Sequence, residues 1–317
     1  MIDVVALGEP MIELNQTRAG QTKADSAHYL QGFGGDTSNF AIAAARHGAS
    51  VGYITRIGDD AFGRMFLDLW QREHVDASGV ITDAHAFTAA YFVTHDDDGH
   101  HFSFLRAGSA SSQMTPADLL QPVPQSLLGH AKFLHVSGIS QAISSSACDT
   151  VFAAIDAVRT AGGFVSYDSN LRLKLWPIAR ARAVIGETIA LSDYFFPSLE
   201  DGQALSGKRD PDAVLDWCFA RGAKVVLLKL GGEGVLVAPS AHARRVHIPV
   251  HRVDAIDATG AGDTFAGAFV ARLAAGDDPL AAARYANAAA ALTTTGYGAV
   301  APIPTAEAVA ALLAAHS

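Results

Sequence analysis

Cysteine is nearly missing from this chain: Cys148 and Cys218 are the only two in 317 residues. Two thiols so far apart give neither a metal-ligand spacing nor a disulfide framework, and they read as buried free thiols in a reducing compartment. Long apolar runs are missing too. No segment reaches the roughly 20 apolar residues of a membrane helix, because Arg46, Arg272, Arg284 and Asn287 interrupt the Ala-rich stretches. Asp3 stands where a signal peptide would carry basic residues and then an apolar core. The expectation is a soluble protein of the cytoplasm. Basic charge is scarce, with 23 Lys plus Arg against 32 Asp plus Glu and a formal net charge of -9. Proteins that live on phosphate backbones carry the opposite sign, so neither nucleic acid nor a membrane is expected as a partner. A small anionic ligand needs only local donors and stays open. Half the residues are apolar and only 17% are charged, which supports a sizeable core and argues against disorder.

What is present is an alternation of short apolar runs with helical stretches. Val4 to Leu7 reads as a buried strand stopped by Gly8, Ser38 to Arg46 as a helix ending at Gly48, Val51 to Ile54 as a strand, and Phe62 to His74 as a helix. The rhythm returns with strands at Phe133 to Val136, Phe164 to Tyr167, Tyr194 to Phe196 and Val225 to Leu230, and helices at Ser146 to Thr160 and Ala213 to Ala220. Such alternation predicts a mostly parallel sheet covered on both faces. Two segments depart from it. Thr88 to Leu105 alternates with period two about Asp97-Asp98-Gly99, a hairpin signature, and Ile12 to Phe33 is rich in polar and turn-forming residues. Together they predict a small antiparallel lid, from about 12–33 and 88–106, on a single domain spanning 1–317.

The sharpest chemical signal is Asp257-Ala258-Thr259-Gly260-Ala261-Gly262-Asp263-Thr264-Phe265, after an extended stretch (Val246 to Ile256) and opening a helix to about Ala274. Gly260 and Gly262 let backbone N–H groups face a ligand at a helix N-terminus, which favours an anion. A carboxylate beside such a nest suits a base that takes a proton from an attacking hydroxyl. The plainer alternative makes Asp263 a cap for its own first turn. Competing motifs fail. Gly202 to Arg209 nearly matches a P-loop, but Arg209 replaces the magnesium-binding hydroxyl, and the segment reads as a helix ending at Gly207. The tract His95 to His101 reads as a solvated hairpin tip in preference to a metal site.

Gly34-Gly35-Asp36-Thr37-Ser38-Asn39, followed by a helix of small residues, resembles the N-terminal signature of the ribokinase-like (pfkB) carbohydrate kinases, and Asp257 to Ala268 resembles their C-terminal signature. The resemblance spans nearly the whole chain. It implies a three-layer α/β/α fold with a mainly parallel central sheet and a β lid, and transfer of the ATP γ-phosphoryl group to a sugar hydroxyl with Mg2+. It also implies roles. Asp263 becomes the base, and the amides of Gly260, Ala261 and Gly262 an anion hole. Gly34, Asp36 and Asn39 fall to the sugar; Lys229, Gly231, Gly232, Gly234 and Asn170 fall to the nucleotide, with Asn287 on the adenine side. Asp257 and Thr259 match positions near a monovalent-cation site (K+) of some members. Asp201 stands in for the usual Glu of the magnesium motif, and Ser198 for its Asn.

Within the family, Gly35-Asp36, the segment Arg106 to Ala110 and Pro197 to Asp201 resemble the 2-keto-3-deoxygluconate kinases more than the fructokinases. A sugar acid calls for a planar, permanently charged fork. Arg106 after the lid hairpin and Arg172 after a strand supply candidates, with Tyr91 beside them; Arg172 has an alternative in the ATP phosphates. Fructokinase is the second reading, and a sugar- or nucleotide-binding regulator without catalysis the third. Exposed lid edges predict a homo-oligomer, most simply a dimer through the lid.

Overall fold

The computed structural model describes residues 2–16, 28–96 and 99–315. The chain lays down strands β1 (Ile2–Leu7), β2 (Met11–Gln16) and β3 (Tyr29–Gly34), then helix α1 (Asp36–Arg46), β4 (Val51–Gly58) and α2 (Ala61–Arg72). Short strands β5 (Val75–Asp76) and β6 (Val80–Asp83) precede the pair β7 (Ala90–Asp96) and β8 (Gly99–Leu105). Helix α3 (Pro122–His130) leads into β9 (Ala131–Ser137), α4 (Gly138–Ala142), α5 (Ser145–Thr160) and β10 (Phe164–Asp168). Next come α6 (Ile178–Leu191), β11 (Tyr194–Phe196), α7 (Leu199–Ser206), α8 (Pro211–Ala220) and β12 (Val225–Lys229). The last elements are β13 (Val235–Ala238), β14 (Val246–Ile248), α9 (Ala261–Ala274), α10 (Pro279–Thr293) and α11 (Ala306–Ala315).

Ten strands form the central sheet in the order β14-β13-β12-β11-β10-β9-β1-β4-β5, with β6 also on β4. From β5 to β12 the pairings are parallel; β13 and β14 close one edge antiparallel. The apolar run of β1 explains why parallel strands read as continuous hydrophobic stretches. Val4 and Ala6 enter a core shared with α1, α9 and α10, while Val5 and Leu7 enter a second core with α5, α6 and α8. Both faces of the sheet are covered, as the alternation in sequence required.

The lid is a separate four-stranded sheet ordered β3-β2-β7-β8. Its hairpins β2–β3 and β7–β8 are antiparallel and are joined through a parallel β2–β7 pairing. Residues 17–27 of the first lid segment and the turn residues Asp97 and Asp98 lie outside the described residues, and so do the side chains of 95–100 in the His95 to His101 tract. The segment from Gly202 to Arg209 ends its helix at Gly207, whose left-handed φ of 73° makes the expected glycine cap. One expectation is corrected. The extended stretch foreseen from Val246 to Ile256 is a strand only to Ile248, because Pro249 has no N–H to continue the ladder. The following residues instead wall a cavity.

Helices α1 and α9 pack with their backbones close together. A methyl group on Gly267 of α9 would stand 2.6 Å from the Phe40 carbonyl oxygen and 2.7 Å from Ala43 Cβ on α1. Alanine gains about 1 kcal/mol of helix propensity over glycine, while overpacking costs about 1–3 kcal/mol. Neither obstructing atom is a flexible side-chain tip, so the steric term wins. Gly267→Ala is expected to lower the stability measured by urea unfolding, against the propensity trend; an equal or higher midpoint would show that the helices part freely.

Candidate active site

The C-terminal ends of the parallel strands open into a cavity of about 1340 Å3, closed on one side by the lid. Ligands of open α/β sheets gather at this end, where strand ends and helix starts present unpaired backbone groups. Glu9 follows β1, Asp168 ends β10, Ser198 follows β11, Lys229 ends β12, and the start of α9 lies opposite; all line this one cavity.

Asp263 is the third residue of α9, whose N-cap is Gly260 with a left-handed φ of 76° and no side-chain cap. A Cβ at Gly260 would lie 2.7 Å from the Ala299 carbonyl oxygen, so only glycine fits. The alternative role of Asp263 as a helix cap fails: its Oδ2 instead accepts a hydrogen bond from Asn39 Nδ2 at 2.8 Å. The amides of Gly262 and Asp263 are therefore left to the cavity, whereas the Ala261 amide, expected in the anion hole, donates to the Ala258 carbonyl at 3.2 Å. Lys229 Nζ stands beside them, 3.3 Å from where a Cβ on Gly262 would be, and donates to Asp168 Oδ2 at 2.5 Å. Burial, and then the charge of Asp36, raise the Asp263 carboxyl to about 7, with Asn39 and Lys229 opposing. A carboxylate tuned near neutrality beside an ammonium and a helix N-terminus can hold a hydroxyl proton and an anionic group side by side.

On the side where the sugar is expected, Gly35 is the N-cap of α1, and its φ of 98° and close approach to the Glu9 carbonyl exclude a side chain. Gly34 does not line the cavity; it lies under the Tyr91 ring, where a Cβ would meet the hydroxyl at 2.7 Å. Asn39 Oδ1 is buried without a partner among the described residues, an acceptor available to a ligand hydroxyl. Tyr91 donates its hydroxyl to Glu13 Oε2 at 2.5 Å. Arg106 is held tightly: Nη2 and Nε approach Glu9 Oε2 at 2.6 and 2.9 Å, and its guanidinium lies over Phe104. Burial pushes the Glu9 carboxyl up, opposed by Arg106 and Ser109. Arg172 also lines the cavity and forms no ion pair among the described residues.

On the nucleotide side, Gly231, Gly232 and Gly234 border the cavity after β12. Asn287 of α10 lines it too, but donates Nδ2 to the Pro249 carbonyl at 2.7 Å and so pins the cavity wall. Asn170 lines the cavity and bonds across it to Asp36. Asp201 Oδ2 accepts from Ser169 Oγ and the Leu171 amide at 2.7 and 2.9 Å. Its Oδ1 has no protein donor among the described residues, and Glu200 and Asp168 line the same space. No three acids among the described residues converge into a group that could hold a metal ion alone, so Mg2+ would be held here by water and the phosphates it accompanies, with Asp201 Oδ1 as the protein oxygen left to them. The monovalent-cation loop fits less well. Asp257 Oδ1 already accepts from the Thr259 amide and hydroxyl, and its Oδ2 from the Gly298 amide; no step is derived through a cation there.

Three acids at the site were not singled out from the sequence, two that line the cavity and one, Glu13, that lies behind the Tyr91 hydroxyl. Glu9 and Asp168 are acids directly at the ends of buried strands, a position that itself marks ligand sites in parallel sheets. Glu13 sits in a lid strand, and nothing local announces it.

The sequence model describing the pfkB family carbohydrate kinases matches residues 1–306. A 2-dehydro-3-deoxygluconokinase of Thermoproteus tenax is 35% identical over 302 residues, covering 92% of this chain and 88% of that protein. A fructokinase-1 of Oryza sativa subsp. japonica is 34% identical over 314 residues, covering 95% and 94%. Among solved structures, a protein designated ribokinase II from E. coli, in complex with ATP and Mg2+, superposes with a TM-score of 0.91 at 26% identity, covering 100% of both chains. The chain belongs to the pfkB family of carbohydrate kinases. Its fold is ribokinase-like, a mainly parallel sheet between helices with a separate small sheet. No helix among the described residues is long and apolar enough to cross a membrane.

Two outcomes test Asp263 in the expected role of general base. Removal of a general base costs about 10²–10⁴ in rate, so Asp263→Asn should lose that much kcat while keeping its fold and nucleotide affinity; near-normal turnover would reduce Asp263 to a structural role. Because the base must be ionised, kcat/KM of the wild type should rise with pH through about 7 and level off above it. A profile flat from pH 5 to 9 would contradict the buried, acid-flanked carboxyl.

Proposed function

We propose that this kinase transfers the γ-phosphoryl group of Mg2+-bound ATP to a hydroxyl of 2-keto-3-deoxygluconate. The observation that carries the reading is the presence of two guanidinium groups, Arg106 and Arg172, on the wall of the cavity that holds Asp263. A carboxylate is bound best by such forks, and Arg172 comes without an acid of its own. The T. tenax relative supports the same substrate. In this reaction Asp263 takes the hydroxyl proton as the sugar oxygen bonds to phosphorus, and ADP leaves. Lys229 and the α9 amides hold the transferring group. Asp201, with Glu200 and Asp168 near it, would hold water of the Mg2+ ion, which supplies charge neutralisation to the phosphates. The lid, with Tyr91 and Phe104 facing inward, keeps water from competing for the phosphoryl group.

A second reading, fructokinase, is favoured by one feature. The close Glu9–Arg106 pair is electrically neutral, so Arg106 also suits a neutral sugar's hydroxyls, and the O. sativa relative points the same way. The lid leaves Leu30 and Leu105 exposed at 66% and 55%. We therefore keep a dimer through the lid, and one kinase domain over 1–317, as parts of the proposal; light scattering that returns a monomer mass would dismiss the dimer.

The deciding measurement is ADP release with 2-keto-3-deoxygluconate and with fructose. The keto acid is expected to be the better substrate. Loss of a charged partner in a desolvated site costs about 2–5 kcal/mol, so Arg172→Ala and Arg106→Ala should each raise KM for the keto acid sharply and leave KM for ATP almost unchanged. Preference of the wild type for fructose would overturn the substrate and leave the kinase.

A further inference from the structure

Asn170 has a φ of 31°, one of only two positive values at non-glycine residues among those described. Such a backbone costs of order 1–3 kcal/mol and persists where its surroundings hold it. Two bonds do so. The Asn170 amide donates to Asp168 Oδ1 at 3.1 Å, and its side-chain Nδ2 donates to Asp36 Oδ2 at 2.7 Å, joining segments 134 residues apart. Asp36 itself is fixed at the head of α1, where its Oδ1 accepts from the Thr37 amide.

These contacts continue in both directions. Asp168 holds Lys229 through its second oxygen, and Lys229 stands beside Gly262. Asp263, next in the chain, accepts from Asn39, which lies three residues after Asp36 and so on the same face of α1. The path runs from Asp36 through Asn170, Asp168, Lys229, Gly262, Asp263 and Asn39 back to α1. All seven residues line the one cavity.

We propose that Asp36 is a positioning residue for the nucleotide side of the site: from the sugar side it holds Asn170 in its strained conformation and, through Asp168, keeps Lys229 aimed at the phosphates. The Asp36–Asn170 bond is the only side-chain link in this ring between α1 and the loop after β10, so the ring opens there when it is lost. This role rests on the family's ATP chemistry and not on which sugar is accepted.

Charge and hydrogen bonding pull in opposite directions at Asp36, and that separates them. Removing its negative charge should by itself improve binding of an anionic nucleotide. Asp36→Asn and Asp36→Ala remove the same charge, but an Asn side chain that turns its one oxygen to Asn170 Nδ2 keeps that bond and gives up the one from the Thr37 amide, and Ala keeps neither. Calorimetric titration with Mg2+ and the non-hydrolysable analogue AMP-PNP, without sugar, reads the difference. Asp36→Asn is expected to bind the analogue as tightly as the wild type or more tightly, and Asp36→Ala about fivefold or more weakly than Asp36→Asn. Asn170→Gly, which tolerates the left-handed backbone but lacks the side chain, should show a similar loss. Adding Asp36→Ala to it should cost nothing further. Equal affinities for Asp36→Asn and Asp36→Ala, or fully additive losses in the double variant, would overturn the proposal. Thermal unfolding of each variant identifies any loss that comes from misfolding, and Asn170→Gly/Asp36→Asn with Asn170→Gly/Asp36→Ala then repeats the comparison at equal charge in a background without the Asn170 side chain, where the two must bind alike.

Discussion

The carboxyl group of Asp263 is held where a carboxylate is poorly solvated, among other acids, and much of the site follows from that confinement. Desolvation and the neighbouring Asp36 and Asp168 push its proton affinity up. The helix N-terminus behind it, Lys229 beside it and the single bond from Asn39 keep it from becoming a permanently neutral acid. The arrangement carries a stability cost of definite sign. A carboxyl whose folded pKa exceeds its unfolded value binds the proton more tightly when folded. Stability is therefore full below the ordinary carboxylate range near 3.8 and falls as pH rises to about 7, beyond which the penalty is constant. The close α1–α9 packing and the two cores either side of the sheet offset this penalty.

The chain is acidic overall, yet its cavity is arranged for anions. The resolution is local. Glu9 is matched by Arg106, Asp168 by Lys229 and Asp36 by Asn170, so that each buried acid near the reaction centre has a donor of its own. The Gly262 and Asp263 amides at the start of α9 and the cavity's other cations, Arg172 among them, are donors left over. Net charge governs the protein's long-range field, whereas the ligand responds to the few donors that remain unmatched at short range.

How much of this was legible beforehand depended on whether the signal was local. Asp257 to Phe265 carried both its glycines and its carboxylate in one stretch, and the helix behind Asp263 was legible from it. The strands were legible because Val4 to Leu7 and Val225 to Leu230 are buried on both faces and so are apolar throughout. The end of β14 was overrun because apolar residues continue past Pro249. Pairings were the hidden part. Nothing in the sequence joins Glu9 to Arg106, Glu13 to Tyr91 or Asn170 to Asp36, since each bond spans 78 to 134 residues and exists only after the sheet has closed. For the same reason Arg106 read as an open guanidinium, although the fold gives it an acid.

The near contact of α1 and α9 at Gly267 has a bearing on how such a protein can change. Two helices that touch through backbone atoms cannot shift by swapping one side chain for another, so the spacing of Asn39 and Asp263 is insulated from drift in the surrounding core. The lid has no such restraint. Its residues Phe102 and Phe104 line the cavity while staying partly exposed, and they can be exchanged one at a time. Descendants of this chain would be expected to alter what they phosphorylate well before they alter how, because variation is cheap on one wall of the cavity and almost forbidden on the other.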